Sequence, residues 1–91
     1  MNNPFVLEQA RSFAELLLAA SEEPEARLRL AYERAWGRLP EAADVSEAVD
    51  YLSQATTELR NRGAEEVEAQ RQAWSSLAKI MLIANEFLYI D

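Results

Sequence analysis

Residues 64–91 read AEEVEAQRQAWSSLAKIMLIANEFLYID, and the interpretation of this stretch decides the fold. Val67, Trp74, Leu77, Ala78 and Met81 recur at steps of three, four and seven, the spacing that sets side chains along one stripe of an α-helix. Ile80, Ala84, Phe87 and Leu88 widen the stripe, and no Gly or Pro interrupts it. More than one face is therefore apolar. The segment is predicted to be a helix largely surrounded by protein, the centre of a small bundle, and its aromatic and Met residues read first as packing groups.

The remaining 63 residues divide into three further helices. Asn3-Pro4 has the form of an N-cap followed by Pro at the first helical position, which predicts a helix from Pro4 to Ala20 with Val6, Ala10, Phe13, Leu17 and Ala20 inward and Leu16 and Leu18 broadening that stripe. Glu8, Arg11 and Glu15 lie mostly away from it. After the polar link Ser21 to Glu23, Pro24 repeats the device and opens a helix to Trp36, with Leu28, Ala31, Tyr32, Ala35 and Trp36 inward. Gly37 suits the left-handed cap conformation and Pro40 cannot continue a helix, so this boundary is sharply marked. The third helix begins within Glu41 to Val45, with Asp44 as cap and Glu47 completing a capping box. Its apolar positions Val45, Ala48, Val49, Leu52, Ala55 and Leu59 give the cleanest amphipathic pattern in the chain, and Asn61-Arg62-Gly63 ends it. The last helix is expected to end near Phe87. Connections of roughly two to seven residues set sequential helices beside one another and antiparallel. The fold predicted is all-α, a small up-down bundle of four helices in one domain, with Trp36 and Trp74 at least partly buried.

Composition limits function. The 91 residues contain no Cys and no His, which removes disulfides, thiol catalysis, zinc sites of the usual kind, haem attachment and any His-based triad. No segment approaches the roughly 18 to 20 consecutive apolar residues of a membrane span, and the N-terminus lacks the basic start and apolar core of a signal peptide, so the chain reads as soluble. Nine basic against 16 acidic side chains give a net charge of −7, which argues against nucleic-acid and anionic-membrane partners, since both need clustered Lys and Arg. A chain this acidic could instead mimic nucleic acid. The charges, however, sit where helix dipoles favour them: Glu22, Glu23 and Glu25, then Glu65, Glu66 and Glu68, at predicted helix starts, and Arg34, Arg38, Arg60 and Arg62 at predicted ends.

Three stretches taken together carry a family resemblance: Asn3-Pro4-Phe5-Val6-Leu7-Glu8-Gln9-Ala10, Ala31-Tyr32 followed by Gly37-Arg38-Leu39-Pro40, and Asn85-Glu86-Phe87-Leu88-Tyr89-Ile90-Asp91. In order and spacing they resemble the C-terminal portion of a planctomycete-type, cytochrome-associated family of unknown function. The resemblance implies that the chain is the C-terminal end of a longer, exported or periplasmic protein, one often linked to a companion domain and a c-type cytochrome module. Glu41-Ala42, where the family tends to a Thr-type cap, and Ile83-Ala84, where it tends to Asn-Ser, depart from the pattern. The family brings no established reaction, so no active site is implied.

No catalytic, cofactor-binding or metal-binding residue is identified, and no cofactor is expected. The carboxylates Asp44 and Glu47, and Glu65, Glu66 and Glu68, lie at exposed helix starts and read as solvated caps rather than a cation site or an acid and base pair. Ser75-Ser76 has no base beside it to make a nucleophile. Gly37, Arg38, Pro40, Asn85 and Glu86 read as structural motif residues, Arg38 tying its turn to a carboxylate or helix-end carbonyls and Asn85 capping the last helix. Ile83, Phe87, Leu88, Tyr89 and Ile90 form the candidate interaction surface, because the last helix carries more apolar surface than three short neighbours cover. The chain thus reads as a non-catalytic packing or interaction module whose partner is another protein, a domain of its parent chain or a second copy. The alternatives are a fragment supplying one wall of an enzyme site in a longer parent, and a free-standing acidic inhibitor.

Overall fold

The structure, a computed structural model, describes residues 3–88, and the side chains of residues 3–84. Four helices account for nearly all of it: α1 Pro4–Ala20, α2 Pro24–Trp36, α3 Ala42–Asn61 and α4 Glu66–Leu88. Each boundary has a local cause. The Asn3 side chain accepts a hydrogen bond from the Phe5 N–H at 2.9 Å, and Pro4 and Pro24 stand in the first turns of α1 and α2. Gly37 ends α2 at φ 67°, donating its N–H to Glu33 O at 3.0 Å. Gly63 follows α3 at φ 103° and donates to Arg60 O at 2.9 Å while Ala64 N–H reaches Leu59 O at 3.0 Å, the paired bonds of a Schellman ending. A side chain at either glycine would be strained in that left-handed backbone.

The helices run up, down, up, down. Glu15 lies beside Arg71 while Phe13 and Leu16 share a groove with Leu82, so α1 is antiparallel to α4. Tyr51 meets Ser76 while Arg60 meets Glu66, so α3 is antiparallel to α4 as well. α2 runs parallel to α4, with Arg27 over Trp74 at one end and Ala35 near Leu82 at the other. α4 touches every other helix, whereas α1 and α3 do not touch each other among the described residues. The core cluster accordingly draws from all four: Ala10, Ala14 and Leu17, then Leu28 and Ala31, then Ala48 and Leu52, and finally Ala73, Trp74, Leu77, Ala78 and Met81. Half of the buried apolar residues among those described are alanines, which lets helix axes approach closely at the cost of a small buried area per residue. Trp74 is 4% exposed and Trp36 is half-buried.

Several residues differ from the reading of the sequence. Val67 extends the apolar stripe on paper but is 72% exposed: α2 begins beside Gln70 and Trp74, past the first turn of α4, and α3 reaches that turn at Glu66 through Arg60. Ala20 is exposed at the last position of α1, and Leu16 is 38% exposed. The cap of α3 is Glu41 rather than Asp44. Asp44 stands at the third helical position and accepts the Glu41 N–H at 2.9 Å, so the box is set three residues earlier than expected. The backbone stays helical through Asn85 to Leu88, which puts Asn85 inside the last turn and not at its cap. Sequential helices lie side by side as expected, yet α1 has its main partner in α4, at the other end of the chain.

Candidate functional site

Two regions at opposite ends of the bundle hold the side chains that packing alone does not explain. The first is the end where α1 and α3 begin and α2 and α4 finish. Phe5 is 69% exposed, Leu7 43%, Leu39 57% and Ile80 47%. The turn from α2 to α3 gives this end its shape. Arg38 donates to Leu39 O at 3.2 Å and to Asp44 Oδ2 at 3.4 Å, and its guanidinium lies 5.1 Å from the Tyr32 ring centre and 5.8 Å from that of Trp36. Tyr32 and Trp36 meet edge to face at 4.8 Å. Arg38 therefore ties its turn to a carboxylate and a backbone carbonyl and also covers an aromatic pair, a stacking role that spacing alone does not disclose. Pro40 is half-buried behind it.

Of the candidate interaction residues, Ile83 is half-buried rather than exposed. The side chains of Asn85, Glu86, Phe87 and Leu88, and Tyr89 and Ile90 altogether, lie outside the described residues. Phe5, Leu7 and Leu39 contribute most to the apolar end that the structure describes. The sequence carried a signal for them only as departures from the stripes, Phe5 and Leu7 flanking the inward Val6.

Tyr32 carries a titration consequence. Its partial burial, then the nearby Asp44 and Glu47 carboxylates, push the phenol pKa above its ordinary value, with Arg38 opposing them. A phenol is neutral when protonated, so a folded pKa above the unfolded one gives stability that is complete below about pH 10 and is lost as pH rises through the folded pKa. Urea midpoints measured near ~pH 8 and ~pH 11 are expected to fall further in the native chain than in Tyr32→Phe. Equal losses in the two proteins would show that Tyr32 contributes nothing to the alkaline limb.

The second region is a groove of about 330 Å³ between the start of α2, the C-terminal half of α3 and the N-terminal half of α4. Trp74, Leu52 and Val49 form its apolar floor, and Ser53, Thr56 and Thr57 bring hydroxyls to it. Arg27, only 7% exposed, lies in its wall. The Arg27 Nε donates to Ser21 O, its Nη2 donates to Leu18 O at 3.4 Å, and its guanidinium carbon sits 5.5 Å from the Trp74 ring centre. It thereby satisfies carbonyls at the end of α1, where a cation is favoured by the helix dipole. Burial lowers its pKa and Glu22 raises it again. Nothing in the local sequence marks Arg27 as buried, since it is followed by Leu28 and Arg29 in a helix with charges on several faces.

The other sequence candidates resolve into local contacts. Ser76 Oγ lies 2.6 Å from the Tyr51 hydroxyl, a bridge between α3 and α4 with no base involved. Glu66 accepts from Gln70 Nε2 at 2.9 Å and pairs with Arg60 at 3.3 Å, and Glu68 accepts from Gln72 Nε2 at 3.0 Å and pairs with Arg71 at 3.6 Å. Exposed pairs of this kind each contribute at most about 1 kcal/mol. Among the described residues no group of three or more Asp and Glu side chains is placed to hold a metal ion, and no helix is long and apolar enough to cross a membrane.

Comparison with protein-family models, with curated proteins and with solved structures finds no match to this chain.

Proposed function

We propose that the chain is a non-catalytic helical module that binds another protein surface through the end of the bundle where α2 and α4 finish. The observation that carries this reading is that Phe5, Leu7, Leu39 and Ile80, four large apolar side chains each more than 40% exposed, lie on segments in the half of the bundle that leads to that end. Scattered apolar residues are ordinary on a protein surface, but a group at one end favours a covered face. The resemblance to the C-terminal segment of a cytochrome-associated family supports the same reading, because in that family such a segment closes a longer chain, and a preceding domain would then be the natural occupant.

In isolation the available occupant is a second copy, related by a two-fold axis. Light scattering at tens of micromolar, in moderate salt to screen the net charge, is expected to give a dimer that Phe5→Glu and Ile80→Glu both return to monomer. Both sites are exposed, so neither substitution threatens the core. A strictly monomeric mass unaffected by either change would remove the docking reading.

A second reading, in which the chain supplies one wall of a ligand site in a longer protein, is favoured by the groove beside Arg27 at the opposite end.

A further inference from the structure

We propose that the groove between α2, α3 and α4 binds a small organic carboxylate, its anionic group taken by the outer edge of the Arg27 guanidinium and its apolar body laid against Trp74, Leu52 and Val49. The inference goes beyond the docking role of the other end. It begins with the geometry of Arg27. One edge of its guanidinium, Nε with Nη2, faces the carbonyls of Ser21 and Leu18, and Nη1 makes no hydrogen bond among the described residues. A guanidinium has five N–H donors, so donors remain for a ligand on the groove side.

The surroundings favour an anion with an apolar part over a bare ion. Arg27 is buried and its guanidinium is held by the Ser21 and Leu18 carbonyls, while the Glu22 carboxylate, which also lines the groove, acts on it without an ion pair among the described residues. Arg60 adds a second cation at the rim, partly engaged by Glu66 at 3.3 Å. Thr56, Thr57 and Ser53 offer hydroxyl donors, while the indole of Trp74 provides a flat apolar wall. Arg with neighbouring hydroxyls suits bidentate recognition of a carboxylate, and the apolar floor gives the ligand chain a surface to leave water for.

The test uses the intact chain and hexanoate as probe, with hexanamide and inorganic phosphate as comparisons, in low salt because the net charge of −7 repels anions. Nuclear magnetic resonance of the Trp74 indole N–H and of the amides of Ser53, Thr56 and Thr57 reads binding directly. Hexanoate is expected to give saturable shifts in the millimolar range, with hexanamide and phosphate each at least tenfold weaker. Arg27→Met is expected to abolish the response. Because that change touches the end of α1, Arg60→Gln and the groove-filling Ser53→Phe provide exposed-site variants, expected to weaken hexanoate several-fold with helicity unchanged. Absence of saturable shifts at tens of millimolar hexanoate, an equal response to hexanamide, or phosphate binding as tightly as hexanoate would each overturn the proposal.

Discussion

Trp74→Ala is expected to lower the unfolding free energy by about 3–5 kcal/mol, the range for truncating a buried aromatic. The indole is 4% exposed, belongs to the core cluster shared by all four helices, and forms the floor beneath Arg27 at 5.5 Å. Its removal leaves a cavity and takes away the aromatic face on which a buried cation rests, so the loss should fall in the upper part of that range. A chain of this size has a total stability of about 5–15 kcal/mol, which makes the variant marginal. Thermal unfolding followed by circular dichroism should show a midpoint lowered by on the order of 15–30 °C. Trp74→Phe should restore most of the difference. A loss below about 1.5 kcal/mol for the alanine variant would mean that the indole is not part of the core.

Ala73→Leu is expected to cost about 1–3 kcal/mol although it adds apolar volume. Ala73 is fully buried against Tyr51, Ala55 and Leu59 of α3, so a leucine there must displace those side chains toward the adjoining groove of about 420 Å³ or push α3 away from α4. Alanine and leucine differ little in helix propensity, so the effect isolates packing. Val67→Ala is the matched control on the same helix: at 72% exposure it should change stability by less than about 0.5 kcal/mol. Urea denaturation of the three proteins, with equal slopes, measures both values. Stabilisation by Ala73→Leu would show that the contact between α3 and α4 is loose.

These substitutions mark where the sequence was readable and where it was not. Helix number and boundaries followed from Asn3, Pro4, Pro24, Gly37 and Gly63, whose effects are confined to their own turns. Long apolar residues at helical spacing, Leu17, Leu28, Leu52, Leu77 and Met81, were assigned inward and are buried. Alanine was decidable only in part, since Ala10, Ala31, Ala48 and Ala78 were assigned inward and are buried but others were missed. Ala14, Ala69 and Ala73 are at most barely accessible while Ala20 is exposed, because a methyl group favours neither side and only the approach of a second helix distinguishes them. The same limit explains Val67, whose spacing was right but whose turn lies beyond the start of α2. The groove was illegible for a different reason: Arg27, Ser53 and Gln70 belong to three helices, and nothing in their local sequence relates them. Of the candidate interaction residues Ile83 alone has a described side chain, and it is half-buried; the exposed apolar groups that the structure describes toward that end come mostly from α1 and the turn after α2.

The absence of contact between α1 and α3 has a consequence for biosynthesis. A nascent chain that has released only the first three helices holds α1 and α2, and α2 and α3, in sparse pairings, while the large interfaces all await α4, the last of the four to be made. Contacts such as Glu15 with Arg71 bridge most of the chain, so loop closure precedes nearly all of the burial. The ribosome therefore delivers this protein as an open amphipathic string whose apolar stripes stay available to chaperones until α4 emerges, and a translational pause before Glu66 would lengthen that exposure without giving any part of the bundle time to form.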